Sequence, residues 1–132
     1  MMKEIMAVIR MNKIGRTKKA LVNAGFCAFT AYKVMGRGKG FVDMDLLSGA
    51  AEGVEDAIPQ LANGPRLMPK RLLYMVVPEE KVKLVVETLI RANQTGKAGD
   101  GKIFVSPVLD AVRIRTKESG LEAINEMNGS IE

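Results

Sequence analysis

The residues best placed to do chemistry are the glycines and lysines of "QTGKAGDGKIF", residues 94–104. Gly96, four residues, then Gly101 and Lys102 fit the first seven positions of the phosphate-cradling pattern G-x-x-x-x-G-K-[ST]. Glycines let backbone N–H groups approach phosphate oxygens, and the lysine adds a compact positive charge. The next position should carry a hydroxyl that holds Mg²⁺, and it is Ile103. Such a loop should also open a helix, whereas "KIFV" reads as a strand. The pattern therefore predicts a glycine loop without the hydroxyl and the helix of an NTPase. Downstream, Arg113 and Arg115 alternate with Ile114, which predicts a short strand presenting two guanidinium forks on one face.

Missing residue types exclude other chemistry. The chain has no histidine and a single cysteine, Cys27. Structural zinc, which needs about four Cys or His ligands, is excluded, and so are Ser–His and Cys–His nucleophilic sites. Cys27 lies in the apolar run "AGFCAFTAY", which predicts a buried, inert thiol. Catalysis would rest on carboxylates and lysines alone, and that favours a binding protein. At 132 residues, 47% hydrophobic and 27% charged, the chain reads as one soluble globular domain. No run approaches the ~18 apolar residues of a membrane span, so no membrane insertion is expected. The N-terminus has no long apolar stretch, so no signal peptide is read and the expected compartment is cytoplasmic. Net charge is +5, but the charges are dispersed and aromatics are 5%, which predicts a solvated surface rather than a nucleic-acid partner.

The elements that would position the loop form a repeat. Residues 3–9 alternate, with Ile5, Ala7 and Ile9 on one face, as in a strand. Ile14, Thr17, Leu21 and Val22 then form a helical stripe, with Asn12 as N-cap and Gly25 as stop. "FCAFTAYKVMG" follows as a second strand. "KRLLYMVV" opens the second copy, Pro78-Glu79-Glu80 starts its helix, and Val82, Val85, Val86, Leu89 and Ile90 form the stripe. A shift of 68 places Ile5 on Leu73, Ile9 on Val77, Ile14 on Val82, Thr17 on Val85, Leu21 on Leu89 and Val22 on Ile90. A strand–helix–strand unit used twice predicts an α+β, ferredoxin-like split βαβ fold, an antiparallel sheet with two helices on one face. The other face is bare and apolar, which predicts self-association. "GLEAINEM" reads as a possible terminal helical turn. The halves run from residue 1 to 37 and 69 to 115, followed by a C-terminal segment, 116–132.

Between them, over residues 40–68, lies an insert that fits neither copy. It carries Asp43, Asp45, Glu52, Glu55 and Asp56 against Arg66, an acidic arm on a basic body. Val54, Ile58 and Leu61 fall at i, i+4, i+7, so the arm could become helical on a partner. Long loops in compact domains are usually functional or disordered.

"QTGKAGDGKIFVSPV", "AVRIRTKESG", "PKRLLYMVVP" and "MGRGKG" together resemble the PII signal-transduction proteins over nearly the whole chain outside the insert. The resemblance implies a homotrimer of ferredoxin-like subunits that binds ATP or ADP in clefts between subunits and also 2-oxoglutarate. It implies that Gly99, Asp100, Gly101, Lys102, Arg113 and Arg115 hold phosphates. Thr30 and the backbone of Val76 match adenine-contacting positions, and Gly38 and Lys39 match the root of the family's T-loop, here residues 38–68. Lys70, with Lys102, matches the 2-oxoglutarate positions. The sequence departs from the family at Gly40, where a Gln normally coordinates Mg²⁺ and touches 2-oxoglutarate; glycine offers no side-chain ligand. The only tyrosines, Tyr32 and Tyr74, lie in strands, so the uridylylated loop tyrosine of some members has no counterpart.

"GRGKG" and the long, tyrosine-free loop resemble the NifI-type subgroup encoded beside nitrogenase genes, in particular its second paralogue. That implies a paralogous PII subunit and dinitrogenase as partners. Three other readings stay open: a PII protein acting on an ammonium channel or biosynthetic enzyme, a ferredoxin-like nucleotide-using enzyme built on Lys102, and a ferredoxin-like RNA binder using Phe104.

Overall fold

The computed structural model describes residues 1–37 and 67–124. Strand β1 (Met2–Arg10) leads through a 3₁₀ turn (Met11–Lys13) into helix α1 (Ile14–Asn23), then strand β2 (Thr30–Gly36). Strand β3 (Met68–Pro78), a 3₁₀ turn (Glu79–Lys81), helix α2 (Val82–Asn93) and strand β4 (Lys102–Val108) repeat that order, and a short helix α3 (Leu121–Ile124) follows. The four strands form one antiparallel sheet in the order β2-β3-β1-β4, as expected of the ferredoxin-like arrangement. The repeat holds at its finest grain, since both 3₁₀ turns and both helix starts are 68 residues apart.

One sheet face is buried under the helices. Ile5, Ala7 and Ile9 of β1 and Leu73, Met75 and Val77 of β3 form a single core cluster with Leu21, Phe26, Val85 and Leu89. Complete burial of a Leu or Ile side chain contributes about 1.5–3 kcal/mol, so this alternation fixes the strand register. Inside it, Asn93 donates to the Thr17 hydroxyl (3.0 Å) and to the Leu89 carbonyl (2.9 Å), a satisfied polar link between α1 and α2. The other face carries Met6, Val8, Leu72, Tyr74, Val76 and Phe104, with no described helix over it.

Several expectations are corrected. Asn12 does not cap α1: it sits inside the 3₁₀ turn, and no side chain caps either the turn or the helix. Gly25 does stop α1. At φ 99° it lets Phe26 N–H reach the Leu21 carbonyl (2.8 Å) and its own N–H reach Val22 (3.0 Å), a Schellman ending sealed by Phe26 on Leu21. β2 begins at Thr30, so residues 26–29 are a loop rather than strand, and Cys27 is exposed instead of buried. Val22 and Ile90, expected on the stripes, are 49% and 43% exposed; Thr88, Ala92 and Asn93 are buried on α2 instead. The buried stripe on α2, Val85, Thr88, Leu89, Ala92 and Asn93, keeps the helical spacing and lies one turn further along than the apolar residues alone indicate.

Candidate functional site

α2 ends at Asn93 and the chain turns extended at Gln94, which launches the glycine loop toward the edge strand β4. Gly96, Gly99 and Gly101 have φ of 82°, 98° and 111°, a region that favours glycine. At Gly101 the requirement is also spatial, because a Cβ there would lie 2.0 Å from the Val8 carbonyl oxygen. The end of the loop thus lies against β1.

Asp100 organises the loop from within. One carboxylate oxygen accepts the N–H groups of Thr95 (2.8 Å) and Gly96 (3.0 Å). The other accepts the Thr95 hydroxyl and Arg10 Nη1, the latter at 2.7 Å. The Thr95 hydroxyl and N–H, helped by Arg10 and the Gly96 N–H, hold the Asp100 carboxyl well below the usual carboxylate range. Arg10 Nη2 also donates to the Ala98 carbonyl (2.9 Å), and Lys70 Nζ to the Gly99 carbonyl (3.3 Å). Arg10 and Lys70 are directly paired across β1 and β3, so two like charges stand side by side beneath the loop. Lys70 is only 6% exposed, and burial first, Arg10 second, lower its pKa. With Lys97 and Lys102 exposed on the rim, the loop presents backbone and cations suited to an anion. Asp100, with both oxygens engaged, offers no vacant position to a metal, and no cluster of metal-binding side chains occurs among the described residues.

A second locus lies at the opposite edge and end of the sheet. β2 pairs with β3 only from Thr30↔Tyr74 to Gly36↔Met68, while β3 runs on to Pro78. Residues 75–78 of β3 therefore have no ladder partner on the β2 side, where Phe26 of the 24–29 loop packs into the core with Met75 and Val77. The gap is a pocket of about 450 Å³ whose lining includes Phe26, Cys27, Ala28, Met75, Val76 and Val77. A mainly apolar slot beside a stretch of unpaired strand edge suits a flat ring that can hydrogen-bond along its rim.

The structure thus brings Gly99, Asp100, Gly101, Lys102 and Lys70 together and sets Thr30, exposed at the start of β2, and Val76 apart from them. Gly38, Lys39 and Gly40, with the acidic arm, lie outside the described residues. Arg113 and Arg115 are not on a strand. Their segment is a turn closed by a single bridge, Val112↔Ser119, in which Arg113 ion-pairs with Glu118 (3.5 Å) and Arg115 is exposed. Alternation over three residues is too short to distinguish a strand from a turn. Arg10 and Thr95 were missed. Thr95 had a local signal, a hydroxyl five residues before an Asp inside a glycine turn; Arg10 had none, because its partner is 90 positions away.

The family model for nitrogen regulatory protein P-II matches residues 2–118. A protein of Methanobacterium ivanovii, "Nitrogen fixation nifHD region GlnB-like protein 2", is 47% identical over 123 residues, covering 93% of this chain and 99% of that one. "Nitrogen regulatory protein P-II" of Synechocystis sp. is 40% identical over 123 residues, covering 93% of this chain and 100% of its own. Among solved structures, Arabidopsis thaliana PII bound to citrate superimposes with a TM-score of 0.69 at 28% identity, covering 93% of this chain and 89% of that one. The glycine loop, the doubled βαβ unit and these likenesses agree, and the chain belongs to the nitrogen regulatory protein P-II family.

Proposed function

We propose that this nitrogen regulatory protein is a cytoplasmic adenylate and 2-oxoglutarate sensor, not an enzyme, that acts as a trimer and inhibits dinitrogenase through its T-loop, residues 38–68. The observation that carries the sensing half is the separation of two complementary half-sites. The glycine loop, a cationic anion seat, lies on the β4 edge; the apolar pocket at Val76 lies on the β2 edge. In one chain β3 and β4 are two strand spacings apart, roughly 10 Å, and the two loci are offset by four residues, roughly 13 Å along the strands. In the trimer a nucleotide that uses both kinds of half-site sits between copies joined edge to edge, a heterologous contact that closes into a ring. The apolar open face gives that ring an interior.

In this reading the adenine enters the pocket against the Val76 backbone, with Thr30 at its side, and the phosphates meet the N–H groups around Gly99–Gly101 and the ammonium of Lys102. Lys70 pairs with a 2-oxoglutarate carboxylate, exchanging its Gly99 carbonyl for the ligand. The nitrogenase target rests on relatives named for the nifHD region. The same coverage of a relative named simply P-II supports a second reading, another nitrogen-metabolism target. A pulldown from nitrogen-fixing cells, with ATP and with or without 2-oxoglutarate, tests both. Capture of dinitrogenase that 2-oxoglutarate releases is the expected result, and capture of a different enzyme or a channel replaces the target. A monomer by sedimentation, rather than three times 14.4 kDa, would sink the shared site.

A further inference from the structure

Two like-charge pairs stand in adjacent registers at the end of the sheet where β2 stops and β3 begins, and only one is neutralised within the chain. Arg10 faces Lys70 across β1 and β3, and the Asp100 carboxylate and the Gly99 carbonyl take up their charge. The next register holds Lys33 of β2 directly opposite Arg71 of β3. Arg71 lies two residues before the core residue Leu73, so this second pair belongs to the helix-covered face rather than the open one. Like charges directly opposite are destabilising. No carboxylate among the described residues ion-pairs with either side chain, and Arg71 Nε is buried without a hydrogen-bond partner. A merely solvated basic face keeps its donors wet, whereas a buried donor left unmade carries a desolvation cost that a ligand can remove. Apolar groups adjoin the pair. Met35, two residues beyond Lys33, lies opposite Pro69, two residues before Arg71, and both are exposed, Met35 to 59%. The 3₁₀ turn Met11–Lys13 stands beside β3 and adds the exposed Met11.

We propose that Lys33 and Arg71, with Met35 and Pro69 beside them, form a docking patch for an acidic segment of a partner protein. One carboxylate of that segment bridges the two cations, and an adjoining apolar side chain covers Met35. The patch's own composition selects this occupant. Facing side chains of a strand pair have Cβ atoms about 4.5–5.5 Å apart, so the two oxygens of one carboxylate can serve both cations. An inorganic anion would satisfy the cations and leave Met35 and Pro69 in water; a peptide segment covers both kinds of group. The proposal does not rest on the nucleotide reading. By strand alternation Lys33 and Arg71 belong to the face opposite that of Lys70 and Val76, and β2 is an edge strand, so a segment can approach from the side.

The test is fluorescence anisotropy of a labelled peptide of alternating glutamate and leucine, titrated with the full-length chain at low ionic strength. Lys33→Glu, alone and together with Arg71→Glu, reverses the patch. Lys19→Glu with Lys83→Glu reverses two exposed charges on the helices and serves as the charge-matched control. The wild type should bind the peptide. The single reversal should raise Kd about fivefold and the double about twentyfold, while the helix pair should change it by less than about twofold. Met35→Ser should raise Kd about threefold, and that loss should vanish when serine replaces leucine in the peptide. Lys33→Glu sets a carboxylate opposite Arg71, so it should raise the thermal unfolding midpoint by a few degrees while it weakens the peptide. A purely structural role for Lys33 would not move the two in opposite directions. Equal losses in the patch and helix variants would mean attraction to net charge alone and overturn the proposal, as would a wild type that ignores the peptide. Inorganic phosphate that displaces the peptide at equal concentration would overturn it in favour of a small-anion seat. A synthetic copy of residues 43–56 that binds more tightly than the glutamate–leucine peptide would make the chain's own acidic arm the occupant and overturn the external one.

Discussion

The two βαβ units share one scaffold and end it differently. Up to the last turn of each helix their elements correspond at a spacing of 68: 3₁₀ turn to 3₁₀ turn, Leu21 to Leu89, and even the exposed Val22 to the exposed Ile90. Past that point the first unit turns sharply at Gly25 and enters a short apolar loop, which leaves the edge of β3 open. The second continues through Asn93 into an eight-residue loop of glycines pinned by Asp100, Arg10 and Lys70. The first ending yields an apolar slot and the second a polar, cationic seat. In the function proposed above, the ligand is met by the helix-to-edge-strand connections, where the backbone is not committed to the core, while the duplicated core holds them apart.

The sharpest break in that comparison is at the shared core. Leu21→Ala and Leu89→Ala remove equivalent, fully buried side chains, and each should cost about 2–5 kcal/mol of stability. Chemical denaturation giving a near-zero cost for one of them would show that the halves are not structurally equivalent.

Glycine substitutions sharpen the difference between the endings. Gly101→Ala places a methyl against the Val8 carbonyl at positive φ, whereas Gly96→Ala meets open space and bears the φ penalty alone, of order 1–2 kcal/mol. The first should abolish ATP binding and unseat the loop; the second should leave the loop formed and ATP binding weakened less. Equal effects in calorimetry would mean that the close approach to β1 does not shape the seat.

Lys102→Ala should weaken ATP by one to two decades, since a charge-assisted contact contributes roughly 1.5–3 kcal/mol, and should leave adenosine unaltered. A parallel loss for adenosine would erase the division into a base half and a phosphate half.

The smallest effect expected is one of pH. Asp100 has a lower pKa folded than unfolded, so its contribution is complete above the ordinary Asp value near ~4 and is lost as pH falls through and below that value. Asp100→Asn should flatten the acid side of the stability profile between about pH 5 and pH 2, without altering the profile above it. An unchanged acid limb would remove Asp100 from its organising role.

The residues alone were enough for the fold, because hydrophobic alternation and helical spacing recur at a fixed interval and each periodic run states which face is buried. The glycine loop was legible for a similar local reason: Gly96, Gly101 and Lys102 stand at set offsets in one stretch. What tertiary structure decided is whatever depends on partners distant in sequence. Arg10 reaches Asp100 across 90 positions, Lys70 finds Gly99 only because β1 and β3 lie side by side, and Cys27 is exposed because β2 starts later than its β-rich sequence suggests. Arg113 and Arg115 show the same limit from the other side. Three alternating residues carry no energy of their own for a strand, so the neighbours at Glu118, Ser119 and Ala123 determined that the segment turns and ties down α3 instead.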